Sequence, residues 1–311
     1  MSQFFDRRAV VGGMTALTAT ALAGDINAAP SGSLSFLVVG DWGRNGASHQ
    51  RDVATQMEKA AAETGSRFTV SVGDNFYEDG VTSISDPLWQ SSYEQVYTGP
   101  HLQTPWYVAL GNHDYGGIPQ AQIDYSAHSP RWKMPARYFK VSGDTLGRPD
   151  LDLFIIDTSP LMTGLANRAE GRAAANVRSQ DTDAQMAWLD QELGASTAKW
   201  KLVVGHHTLY SGGSTHGNTP EMIERVLPIL QKQKVTAYIN GHDHDLQDIE
   251  RDGIAYVCTG AGSEVRPVKA IDGTRFCVAQ SGFSVITVTT DALYLEFRNY
   301  RGQTVYRSQI A

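Results

Sequence analysis

The chain has little cysteine, no excess of basic charge and almost no long apolar run. Two cysteines in 311 residues, Cys258 and Cys277, exclude a disulfide-rich scaffold, and neither sits in a spacing typical of a metal or redox motif. In an oxidising compartment they could pair; otherwise they are two buried thiols. Basic residues number 26 against 33 acidic ones, giving a net charge of -7. Without basic clusters a nucleic-acid partner is excluded, because phosphate backbones are held by such clusters. Repeats, low-complexity tracts and Pro/Gly/Ser-rich linkers are missing too, so nothing in the composition divides the chain. What is there is a globular composition, 41% hydrophobic and 19% charged, long enough to bury a sizeable core.

One apolar run stands apart, at the N-terminus. Arg7 and Arg8 precede a small-residue apolar run at 9–23 and then small residues at 27–29. The run is shorter than the roughly 20 residues a spanning helix needs. It looks like a twin-arginine export signal at 1–28, which leaves 29–311 as one catalytic domain. A periplasmic or secreted protein, with no membrane attachment after signal removal, is the expectation.

Periodicity finds one arrangement five times. "SFLVVGD" ends at Asp41, "RFTVSVGD" at Asp74, "PWYVALGNHD" at Asn112 and His113, "WKLVVGHH" at His206 and His207, and "VTAYINGHDH" at His242 and His244. Each is a short, nearly continuous apolar run, the pattern of a strand buried on both faces. Each then meets glycine and a metal-type ligand. Helical patterns lie between them: Val53, Met57 and Ala61 share one face, as do Met186, Leu189 and Leu193 before a stop at Gly194. A third helix opens with Thr219 as cap and Pro220 at its first position, and Pro228 should break it. Strands alternating with helices imply a largely parallel sheet, whose ligands gather at the carboxyl ends of the strands. Further on, Asp252 and Gly253 form a two-residue hairpin turn, and the last thirty or so residues alternate as antiparallel strands do. The expected fold is α/β, with two packed mixed β-sheets flanked by helices.

Together the five strand ends supply three His, two Asp, an Asn and a Tyr, the donors of a binuclear site for hard or borderline metals. Metals in such pairs lie roughly 3.5 to 4 Å apart, a distance a carboxylate can bridge. Asp74 is the candidate bridge.

The ordered set "GDWG", "GDNFY", "GNHD", "GHH" and "GHDH" resembles the calcineurin-like metallophosphoesterases and, within them, the small, tartrate-resistant type of purple acid phosphatase. The resemblance covers nearly the whole chain after the leader. It implies a four-layer sandwich and a first metal held by Asp41, Asp74, Tyr77 and His244. It implies a second metal held by Asp74, Asn112, His206 and His242. Most members of the superfamily begin with Asp-x-His, whereas the third position here is Gly43, and Tyr77 can fill the vacancy. A phenol ionises near about pH 10, so binding it as phenolate calls for a strongly polarising cation. Iron(III) is therefore expected at the first position, and iron(II), zinc(II) or manganese(II) at the second.

The reaction this implies is hydrolysis of small phosphate monoesters by a metal-bound hydroxide, without a covalent phosphoenzyme. His113 would protonate the leaving group, with Asp114 orienting it, and His216 matches a second active-site histidine of the family. Phosphodiester or nucleotide-pyrophosphate hydrolysis by the same metals is the alternative; a non-catalytic phosphate or metal binder is another. The sequence departs from the family at His207 and Thr208, where an aromatic residue and a proline are usual. His207 either touches substrate or faces the neighbouring layer. Residues 259–264 read as a turn near the pocket rim, and the polar stretch around 160–182 as a lid or a disordered surface loop.

Overall fold

The structure, a computed structural model, describes residues 32–167 and 171–311; the expected export signal lies outside the described residues. In chain order the strands are β1 (Leu34–Val39), β2 (Thr69–Ser71), β3 (Trp106–Val108), β4 (Trp132–Lys133), β5 (Phe139–Val141), β6 (Leu151–Ile155) and β7 (Trp200–Val204). After them come β8 (Ala237–Asn240), β9 (Leu246–Arg251), β10 (Ile254–Thr259), β11 (Thr274–Val278), β12 (Gly282–Val288), β13 (Leu293–Asn299) and β14 (Thr304–Gln309). They form two seven-stranded sheets, β14-β13-β12-β1-β2-β3-β4 and β11-β9-β10-β8-β7-β6-β5. In the first sheet β1 to β4 run parallel and β12, β13 and β14 add antiparallel strands at one edge; in the second β6, β7, β8 and β10 run parallel, with antiparallel strands at both edges. This is the mixed α/β sandwich expected from the sequence.

Burial on both faces explains the continuous apolar runs. On β7, Leu202 and Val204 point into the core between the sheets, while Val203 joins a second core under the outer helices. On β8, Ala237 and Ile239 face inward and Tyr238 outward, as the two-residue repeat of a strand requires. Each fully buried large apolar side chain contributes roughly 2 kcal/mol.

The helix Gln50–Thr64 buries Val53, Met57 and Ala61 and ends at Gly65 in the left-handed conformation. The helix Thr182–Ala195 buries Met186, Leu189 and Leu193, and the Asp181 side chain caps it at the Ala184 N–H. Gly194 lies inside its last turn rather than stopping it, because the Ser196 N–H still bonds back to Glu192. Pro220 opens its helix, and the chain breaks between Pro220–Arg225 and Leu227–Lys232, next to Pro228. The Thr219 hydroxyl does not cap that helix; it bonds Thr208. Asp252 (φ 54°) and Gly253 (φ 76°) form the hairpin turn between β9 and β10.

In its described residues the polar connection around 160–182 is neither a free lid nor structureless. It contains helices Thr163–Ala166 and Arg172–Arg178, buries Ala174 and Val177, and holds the loop after β3 through Asn176, which donates to the Tyr115 and Gly117 carbonyls. Both cysteines are free. Cys258 on β10 and Cys277 on β11 face Gln247 of β9 from opposite sides, so two strand spacings, about 9.5 Å, separate them. A disulfide spans less than about 7 Å between Cα atoms. Among the described residues no helix is long and apolar enough to cross a membrane.

Candidate metal centre

Five parallel strands deliver the site, three from one sheet and two from the other. Beyond β1, β2 and β3 stand Asp41, Asp74 and Asn112; beyond β7 and β8 stand His206, His242 and His244. Asp41 (φ 57°), Asp74 (φ 50°) and His242 (φ 72°) take left-handed backbone, which costs about 1–3 kcal/mol per non-glycine residue. The loops accept that cost where they turn these side chains into the crevice.

The two sheets are joined at the ligands themselves. His206 Nδ1 lies 2.9 Å from the Val72 carbonyl, which can only accept, so the proton sits on Nδ1 and Nε2 is left for a metal. The His242 backbone N–H donates to Asp41 Oδ2 at 3.1 Å. Glycines make the approach possible: a Cβ at Gly111 would stand 2.1 Å from Asp74 Oδ1, and one at Gly241 2.3 Å from Asp41 Oδ2.

The donors fall into two groups that share Asp74. In the first, the Tyr77 hydroxyl is 3.1 Å from Asp41 Oδ1, 3.1 Å from Asp74 Oδ2 and 3.2 Å from His244 Nε2. In the second, His206 Nε2 is 3.4 Å from Asp74 Oδ2, 3.2 Å from Asn112 Oδ1 and 3.2 Å from His242 Nδ1. Among the described residues, Asp41, Asp74 and His206 can present three ligand atoms within 4.8 Å of one another.

These residues suit a pair of cations. Burial would raise the Asp74 carboxyl, but His206 and then His113 hold it well below the usual carboxylate range. Burial, then the neighbouring histidines, keeps His242 neutral with its lone pair available. Burial, then Asp41 and Asp74, push the Tyr77 phenol well above its ordinary value, with Arg44 pulling the other way. An oxygen in that setting is a phenolate only against a strong Lewis acid. Among the described residues the buried His244 Nδ1 has no hydrogen-bond partner, while its Nε2 faces the carboxylates.

His113 stands beside the centre. Its backbone N–H donates to Asp74 Oδ1 at 2.9 Å, and its ring Nδ1 lies 2.5 Å from the Glu78 carbonyl. The expected orienting role of Asp114 is corrected: its carboxylate accepts from Gly111 N, Asn75 N and Gln122 Nε2, bracing the ligand loops, and the Glu78 carbonyl holds the ring. Burial, then the Asp74 charge, push Asp114 up to about 7. His216 lies at the rim, stacked on His242 at 3.9 Å between ring centres, with Nε2 3.1 Å from Arg266 Nη1. His207 is buried against His242 and bonds Thr158, so it faces the neighbouring layer. Within the turn at 259–264, Glu264 pairs with Arg44 and Ser263 donates to the Asp41 carbonyl. Sequence reasoning missed Arg44, Glu78 and Arg266. Arg44, directly after "GDWG", was the one with a visible signal.

The chain is similar to known proteins over most of its length. The family model described as Calcineurin-like phosphoesterase matches residues 34–246. Purple acid phosphatase 4 of Arabidopsis thaliana is 37% identical over 288 residues, covering 89% of this chain and 84% of that protein. Tartrate-resistant acid phosphatase type 5 of Sus scrofa is 36% identical over 302 residues, covering 91% and 88%. Among solved structures, GAP50, titled the anchor in the inner membrane complex of Plasmodium, superposes with a TM-score of 0.77 at 24% identity, covering 89% and 88%, a likeness of fold. The chain is a metal-dependent phosphoesterase that belongs to the calcineurin-like phosphoesterases and, within them, to the purple acid phosphatases.

Proposed function

We propose that this protein is an acid phosphatase that hydrolyses small phosphate monoesters with two metals, iron(III) on the Tyr77 side and iron(II), zinc or manganese on the other. The observation that carries the proposal is the place of Asp74 Oδ2, 3.1 Å from the Tyr77 hydroxyl and 3.4 Å from His206 Nε2, where one carboxylate serves both donor groups. Asp41, Tyr77 and His244 would complete the first set, and Asn112, His206 and His242 the second. When bound, the pair supplies Lewis acidity, polarising phosphate oxygens and acidifying water.

The remaining steps belong to side chains. His113 is pinned through Nδ1 to a carbonyl, so Nε2 is the atom that gives a proton to the leaving oxygen, and the ring must start as imidazolium. Arg266 can only donate, so His216 accepts at Nε2 and is neutral, suited to orienting substrate rather than to proton transfer. With water as the nucleophile, the proposal contains no covalent phosphoenzyme.

The test is one preparation assayed with a monoester and a diester, its metals counted and its visible spectrum recorded. A violet band in the wild type that is lost in Tyr77→Phe, and wild-type turnover faster on the monoester than on the diester, is the expected result. A colourless protein carrying two metals refutes the iron(III) assignment. Faster diester turnover refutes the substrate class in favour of phosphodiester or nucleotide-pyrophosphate hydrolysis, and no turnover refutes the enzyme. Export by the twin-arginine route is part of the proposal, supported by Arg7, Arg8 and the run at 9–23. Sequencing the N-terminus of the mature protein checks it, with a start near Ala29 expected.

A further inference from the structure

Arg44 lies outside both donor groups, yet its guanidinium carbon stands 3.9 Å from the centre of the Tyr77 ring, over its face. Two carboxylates hold it there: Nη1 bonds Glu78 Oε1 at 3.0 Å and Nη2 pairs with Glu264 Oε2 at 3.1 Å. These come from different segments, one from the loop that carries Tyr77 and one from the turn after β10. The backbone is fixed as well, because the Arg44 N–H donates to the side chain of the fully buried Gln50. Among the described residues the buried Nε has no partner, so the plane is committed to the ring rather than to a third hydrogen bond.

The charges do not cancel at the ring. The Arg44 side chain is 13% exposed, whereas Glu78 and Glu264 are 70% and 48% exposed. Water screens the two carboxylates more effectively than it screens the cation, so a positive field survives over the π face.

We propose that Arg44 is a positioning residue for Tyr77 that sets the electron richness of its phenolate. The inference rests on the assignment of Tyr77 as a phenolate ligand to iron(III). A cation over the ring stabilises the electron-rich phenolate more than the charge-transfer excited state, in which the ring has given up electron density. The guanidinium therefore raises the energy of the visible band, and removing it lowers that energy. Glu78 ties this to His113, since its side chain holds Arg44 while its carbonyl holds the His113 ring.

The experiment is the visible spectrum of iron-loaded wild type, Arg44→Lys, Arg44→Met and Arg44→Gln, with iron counted per chain and the fold checked by circular dichroism. Removing a cation–π contact implies a shift to longer wavelength on the order of 20 nm in Arg44→Met. Arg44→Lys should shift less, because it keeps the charge and loses the planar fork. Arg44→Gln replaces the Met variant if that one fails to fold or hold iron. Neutral variants whose band coincides with that of the wild type at equal iron content overturn the role of Arg44 and leave the iron assignment standing. A wild type with two metals and no band overturns the iron assignment, and this inference with it.

Discussion

The most discriminating perturbation of the centre is a single methyl group added without substituting any of the proposed ligands. In Gly111→Ala the new Cβ would stand 2.1 Å from Asp74 Oδ1 and 2.2 Å from the Asp74 nitrogen. Carbon and oxygen in ordinary contact lie about 3.4 Å apart or more, so the carboxylate must retreat by more than about 1 Å. Metal–ligand distances tolerate roughly 0.2 Å. Asp74 Oδ2 cannot then stay within reach of both donor groups, now 3.1 and 3.4 Å from it. A misplacement of about 1 Å costs on the order of 100-fold in rate, and overpacking adds about 1–3 kcal/mol of destabilisation. The expected outcome is a folded protein with a lowered Tm, less than two metals per chain, and monoester turnover down at least about 100-fold. The assay pairs metal analysis and kcat with a thermal melt. Full metal content with turnover within about threefold of wild type would refute the claim that Asp74 is shared.

Other outcomes are equally specific. His113→Ala should lower kcat by about 100- to 10,000-fold with metal content unchanged, as steady-state kinetics and metal analysis will show; loss of metal instead would make His113 a structural residue. Asp152 tests linkage away from the centre. Burial would raise its pKa, but hydrogen bonds from Ser196, Lys140 and the Gly143 N–H leave it below the ordinary value. Its stabilisation is therefore present above about pH 4 and lost as pH falls through the lower folded pKa, so Asp152→Asn should cost roughly 1–2 kcal/mol at pH 7 and little in acid. Urea unfolding at both pH values measures it. Denatured without reductant, the chain should take up two alkyl groups by mass spectrometry, because β9 keeps Cys258 and Cys277 apart.

Much of the arrangement is local and therefore written in the chain. Apolar runs ending in glycine and a polar donor identify strands buried on both faces, and the spacing of Val53, Met57 and Ala61 identifies a helix. Hence the α/β class, the five strand ends and a candidate set of seven donors can be read from sequence. Which donor meets which cannot. Sequence order says nothing of the Val72 carbonyl reaching His206 from the other sheet, or of Arg44 lying over Tyr77. Asp114 shows the same limit: adjacency to His113 suggests a pair, but a loop of three residues turns its carboxylate back onto Gly111 and Asn75. Periodicity determined the elements because burial on a strand or helix depends on the nearest few residues. Only the packing of the two sheets decided the pairings, because hydrogen bonds between loops 134 residues apart form when the sheets close and have no counterpart in local pattern.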